Sequence, residues 1–266
     1  MNEQNDGQPP NGRLAKILLY GGFFCTGLAA LIYENLWARH LALLLGGTAA
    51  AHTAVLCAFM GGLAAGGPLL GRLADKSPDK ARFYAFLNFF IGLWAAASPT
   101  LFGLAPENPG MRWFYGLFIA GIPCVLMGGT LPALASLLSA QGGRGEVSAR
   151  LYYANSAGAV AGCLLGGLWL IARLGIDFPL SIGAALNIGA ALAALWAGQN
   201  LGTGQTEAAE HSGPPADSKK PETAVLGAVF ISGFAALACE LGWIRLFTLV
   251  LGSSTYSFAL MLAAFI

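Results

Sequence analysis

Residues 27–39 read Gly-Leu-Ala-Ala-Leu-Ile-Tyr-Glu-Asn-Leu-Trp-Ala-Arg, and residues 233–245 read Gly-Phe-Ala-Ala-Leu-Ala-Cys-Glu-Leu-Gly-Trp-Ile-Arg. Both are apolar stretches interrupted by Glu, Trp and Arg at the same spacing. Extended without a gap, Gly21–Met60 aligns with Gly227–Ile266 at an offset of 206 residues, with 15 identities in 40 positions. Composition accounts for matched Ala, Leu and Gly. It does not readily match Glu34/Glu240, Trp37/Trp243 and Arg39/Arg245 in a chain with only 10% charged residues. The sequence is therefore an internal repeat, and the length and solvent of one unit decide the fold.

That solvent is lipid. Hydrophobic residues make up 56% of the chain and mean hydropathy is +0.64, whereas soluble domains carry about 25% charged residues. A helix crosses a bilayer core with about 20 mostly apolar residues. Such stretches lie at roughly 14–36, 48–70, 83–104, 113–139, 151–171, 178–198 and 224–247, and an eighth begins near 253. The first resembles a signal peptide, because Arg13 and Lys16 precede it, but six further spans follow and mark it as a retained helix of the bundle. The 37 glycines suit close helix packing. A net charge of +1 gives no support to nucleic-acid binding.

Basic residues set the orientation. With the N-terminus in the cytoplasm, Arg13, Lys16, Arg72, Lys76, Lys80, Arg82, Arg144, Arg150, Lys219 and Lys220 face inward, and Arg39, Arg112, Arg173 and Arg245 face outward. The chain then divides into a cytoplasmic tail (1–13), a six-span unit (14–198), a polar, flexible cytoplasmic linker (199–223) and the start of a second unit (224–266). Six spans between copies is an even number, so both copies enter the membrane in the same direction. The halves of major facilitator transporters are related in this way. The expected fold is an all-α membrane protein, a major-facilitator-like bundle of one six-span repeat plus the start of a second. The second copy reaches Ile266 in mid-helix, so about five further spans are expected.

The Glu34, Trp37 and Arg39 cluster and its copy, Glu240, Trp243 and Arg245, are the leading candidates for function, since an acid within a membrane span is costly unless paired or hydrated. The alternative is an interfacial anchor, with Trp in the aromatic belt and Arg reaching the headgroups. Both clusters fall toward the outer ends of their expected spans, and partners for Arg39 are expected on another helix. The lone polar residues His52 and Asn155 read as packing contacts. Cys25, Cys57, Cys124, Cys163 and Cys239 each stand alone in apolar runs and read as buried free thiols. Close helix contacts are expected at Gly62 and Gly66, at Gly67 and Gly71, and along Gly158, Gly162 and Gly166. No metal ligand set and no catalytic constellation is expected.

The loop Gly71-Arg72-Leu73-Ala74-Asp75-Lys76 resembles the signature loop of the major facilitator superfamily. The resemblance implies a conformational latch at Gly71, Arg72, Asp75 and Lys76, in which the aspartate caps a helix and pairs with basic residues. Pro78-Asp79-Lys80 replaces the family's downstream Gly-Arg, and an ordinary positive-inside loop is the other reading. Residues 29–39, 126–132, 151–159 and 252–256 resemble the fused major-facilitator/spermidine-synthase proteins of bacteria. That resemblance implies an inner-membrane unit joined to a cytoplasmic aminopropyltransferase-like domain that acts on decarboxylated S-adenosylmethionine and a polyamine. No Gly-rich cofactor turn or soluble carboxylate cluster is present in the sequence, so no catalytic residue and no cofactor is carried over to it. The first copy also departs from the pattern, with Gly47-Thr48-Ala49-Ala50 where the second has Ser253-Ser254-Thr255-Tyr256.

Three functions follow as expectations. The first is the membrane region of a spermidine-synthase-like protein, which anchors an enzyme and passes it a small cationic substrate. The second is a major-facilitator-type secondary transporter with no enzyme attached, and the third is a membrane scaffold. The lipid bilayer is the expected partner in each.

Overall fold

The computed structural model describes residues 11–139, 143–201, 223–252 and 255–266, and those residues contain helices and no strand. The helices are α1 (Gly12–Leu45), α2 (Thr48–Lys76), α3 (Lys80–Gly103), α4 (Pro109–Leu138) and α5 (Arg144–Leu164). A π-helical turn (Leu165–Leu170) and the short α6 (Ile171–Leu174) complete the fifth span, followed by α7 (Phe178–Asn200), α8 (Thr223–Leu251) and α9 (Thr255–Phe265). Seven helical segments are long and apolar enough to cross a membrane. The chain is therefore a multi-pass, all-α membrane protein. Most of the expected linker, most of the N-terminal tail, and Ser253 and Ser254 lie outside the described residues.

Local chemistry sets the helix ends. The Asp79 carboxylate accepts the Arg82 N–H at 2.9 Å at the start of α3, and Asn108 Oδ1 accepts the Gly110 N–H at 2.9 Å ahead of α4. Pro109, at the first position of α4, has no N–H to leave unsatisfied. Gly46 ends α1 in the left-handed region at φ 74°, and Gly252 follows α8 at φ 81°. These glycines are counterparts at the repeat offset, and both take the left-handed conformation that follows a helix end.

The first helix outruns its expected limit by nine residues and ends at Leu45. The polar residues that suggested an end are accommodated at one end of the bundle. Arg39 is exposed, while His40 stacks on Phe102 with ring centroids 5.0 Å apart and lies 3.2 Å from Asp177. At 1.5 Å per residue, α1 is about 51 Å long, well beyond a bilayer core of about 30 Å. Glu34 is consequently followed by 11 more helical residues, which places it far deeper than the sequence suggested.

Helix pairing within the first unit has an internal symmetry. The fifth span packs on α1 as α2 packs on α4, α7 packs on α1 as α3 packs on α4, and α3 and α7 pack on each other. Exchanging spans one to three with spans four to six leaves this pattern unchanged. Helices three spans apart run in opposite directions, so the pairing within the six-span unit follows the pattern of two inverted three-helix groups.

The two symmetry-related seams are both lined by glycine. A Cβ on Gly66 would overlap the Val125 carbonyl, and one on Gly158 or Gly162 would overlap the carbonyl of Phe24 or Leu28. Backbones thus approach to a distance that no side chain permits. Gly71 meets Pro132, while a Cβ on Gly67 would find only ordinary contact, so the second expected pair is the looser one. Large apolar side chains such as Phe89, Phe114, Trp169 and Phe230 point outward, as a lipid-facing surface requires. Cys57 and Cys239 are exposed, Cys25 is partly buried, and only Cys124 and Cys163 are fully buried. The expectation of five buried thiols is corrected accordingly: apolar runs in a membrane helix include the side that meets lipid.

Candidate functional site at the junction of the repeats

The first unit meets the second copy where α9 packs against the fifth span and α1, with Ile244 of α8 joining the same buried cluster. Leu31, Ala159, Cys163, Ile244, Phe258, Ala259, Met261 and Leu262 share one buried apolar cluster there. Glu34 and Glu240 lie within this junction. They are 4% and 3% exposed, and each is within electrostatic reach of the other. Among the described residues, neither carboxylate has a basic ion-pair partner.

A second pair of counterparts meets nearby. His52 of α2 stacks on Phe258 of α9 with ring centroids 4.3 Å apart and planes inclined by 15°. Phe258 belongs to the same buried cluster as Leu31 and Cys163, so the stack adjoins the junction that holds the carboxylates.

Other polar groups cluster beside the carboxylates. Asn35 Nδ2 donates to the Leu31 carbonyl at 2.8 Å and lies 3.6 Å from Cys163 Sγ, and Cys163 donates to the Ala259 carbonyl at 3.2 Å. Asn35 is 1% exposed, and its carbonyl oxygen Oδ1 has no hydrogen-bond partner. Cys163 also lies within the field of Glu34, so the Asn35 amide nitrogen and the Glu34 carboxylate both act on the same thiol. The π-helical turn begins two residues beyond Cys163. Such turns interrupt the regular helix ladder and recur at functional sites.

The remaining members of the sequence clusters go elsewhere. Trp37 is completely buried. It stacks on Tyr33 at 5.3 Å, and its indole N–H donates to Ser98 Oγ at 3.0 Å. The interfacial-anchor reading therefore fails for Trp37, because its ring fills the bundle interior. Its counterpart Trp243 is 52% exposed on α8. Arg39 is exposed and reaches His52 electrostatically, while Arg245 is exposed. In the expected latch loop, Gly71 is buried and Arg72, Asp75 and Lys76 are exposed at the end of α2. The residue that caps α3 is Asp79. Asn155 packs at the α1–α5 seam against Gly27.

Sequence reading missed the shared burial of the two carboxylates at one junction, the orphaned Asn35 oxygen and the Cys163 contacts. The repeat offset already paired His52 with Phe258, but it could not show that the rings touch. The adjacent Gly166 and Gly167 were the one local signal of the π turn. Among the described residues, no group of three or more His, Cys, Asp or Glu is placed to hold a metal ion.

The fold and this junction define a multi-pass helical membrane protein that buries two acids, Glu34 and Glu240. No family model, curated protein or solved structure matches the chain.

Proposed function

We propose that the chain is the membrane region of a spermidine-synthase-like protein of the bacterial inner membrane, with a cytoplasmic N-terminus, and that it holds a small amine cation between its two repeats. The buried Glu34–Glu240 pair carries this reading. Two carboxylates without a basic partner are expensive in a membrane, and a bound cation offsets the cost. A primary ammonium has three N–H donors and carboxylates are acceptors for them, and Asn35, next to Glu34 in the chain, carries a buried amide oxygen with no hydrogen-bond partner. The enzyme connection rests on the sequence resemblance alone. A major-facilitator-type transporter without an enzyme is the second reading, favoured by the inverted three-helix pairing inside the parallel repeat.

Equilibrium binding of a radiolabelled diamine to the purified protein tests the proposal. Saturable binding that falls about tenfold or more in Glu34→Gln and in Glu240→Gln supports it, as expected for loss of one charge-assisted contact. Binding that is absent, or indifferent to both substitutions, refutes it.

A further inference from the structure

We infer that the His52–Phe258 stack is a closed gate over the Glu34–Glu240 site, on the side of the α1–α2 turn. The inference rests on the reading of the carboxylate pair as a site. Its evidence is the position and the ownership of the two rings. Glu34 lies 11 residues before the end of α1, about 16 Å along the helix, and His52 lies four residues into α2, about 6 Å. The stack is therefore nearer the turn than the carboxylates by about 10 Å along antiparallel helices. Phe258 shares its buried cluster with Leu31, one turn before Glu34 on α1, so the rings flank the carboxylates on that side of the bundle.

The rings also belong to different copies, His52 to α2 and Phe258 to α9. A displacement of one copy relative to the other breaks the contact without disturbing either helix. Alternating access in parallel-repeat transporters is a motion of this kind. Arg39, exposed and within reach of His52, places a fixed positive charge beside the stack. A cation approaching from this side thus meets both a steric and an electrostatic barrier. Phenylalanine at one position and histidine at its counterpart give a flat aromatic contact that Ala at either position abolishes.

Cys163 is a native reporter, being buried and in contact with Asn35 beside the site. In a chain with Cys25, Cys57, Cys124 and Cys239 replaced by Ala, a membrane-impermeant thiol reagent is applied from each side. With His52 present, Cys163 is protected from the side of the α1–α2 turn. His52→Ala and Phe258→Ala are each expected to raise its labelling rate from that side about tenfold or more, the mark of an opened local barrier. His52→Phe keeps a stacked ring and is expected to keep the protection, which separates gating from damage to the fold. A disulfide formed in His52→Cys/Phe258→Cys is expected to restore protection. Labelling unchanged by either alanine, or raised equally from both sides, overturns the gate. If Cys163 responds to His52 while diamine binding ignores Glu34 and Glu240, the gate stands and the site falls. The reverse result retains the site and removes the gate.

Discussion

Glu34 on α1 and Glu240 on α8 occupy the same position in two copies of one repeat, and the fold brings the two side chains within electrostatic reach of each other inside the bundle. Apolar packing alone gives no reason for an acid at this position. A neutral residue of similar volume would remove the desolvation cost from both copies. The pair therefore reads as a chemical feature of the junction between the copies, with the aromatic stack of His52 and Phe258 above it.

The glycine seams hold that junction in place by fixing α1 and α4. Gly66→Leu forces a side chain into the Val125 carbonyl, whereas Gly61 has open space around it. Gly66→Leu is expected to abolish the folded protein or to lower its stability by roughly 3 kcal/mol or more, since overpacking against backbone has no cheap relaxation. Gly61→Leu is expected to be near neutral. Thermal unfolding in detergent, followed by size-exclusion fluorescence, distinguishes them.

Trp37 couples α1 to α3 by one hydrogen bond and a large buried ring. Trp37→Phe keeps most of the ring and loses the bond to Ser98, at an expected cost of about 1 kcal/mol. Trp37→Ala leaves a cavity and is expected to cost roughly 3–5 kcal/mol. Were Trp37 an interfacial anchor, both substitutions would change stability little. The same unfolding assay reads the difference.

Orientation is open to a direct check. In a cysteine-free chain, Gly110→Cys in the first turn of α4 is expected to react with an impermeant maleimide added to intact cells. Pro78→Cys between α2 and α3 is expected to react only after the membrane is opened. The opposite pattern would place the basic loops outside and reverse the proposed topology.

Much of this architecture is legible in the sequence, because membrane helices announce themselves by length and apolarity. The seven spans and the repeat follow from residues 27–39 and 233–245 together with the charge pattern of the loops. The helix ends were less legible. The first span was expected to end near residue 36, yet an exposed Arg39 and a His40 stacked on Phe102 allow the helix to run on to Leu45. This extension moves Glu34 away from the end of its span. The candidate site was legible in its residues and hidden in its geometry. Glu34 and Glu240 stood out as costly, but their meeting depends on how α8 and α9 pack against the first unit. Trp37 and Trp243 look alike in sequence, and only packing assigns one to the interior and the other to an exposed face. Exposure of Cys57 and Cys239 was equally hidden, since a thiol facing lipid and a thiol facing a neighbouring helix sit in the same kind of apolar run.

The most informative experiment is cross-linking between positions 34 and 240. Glu34→Cys/Glu240→Cys in a chain lacking its native cysteines is treated with a short bis-methanethiosulfonate reagent, and intramolecular linkage is read by intact mass. Efficient linkage of this pair, with none in a control pairing Glu34→Cys with a cysteine at Phe230 on the exposed face of α8, is the expected result. Absence of linkage in a folded double-cysteine protein would mean that the two copies do not meet through their acids, and the proposed cation site would have no basis.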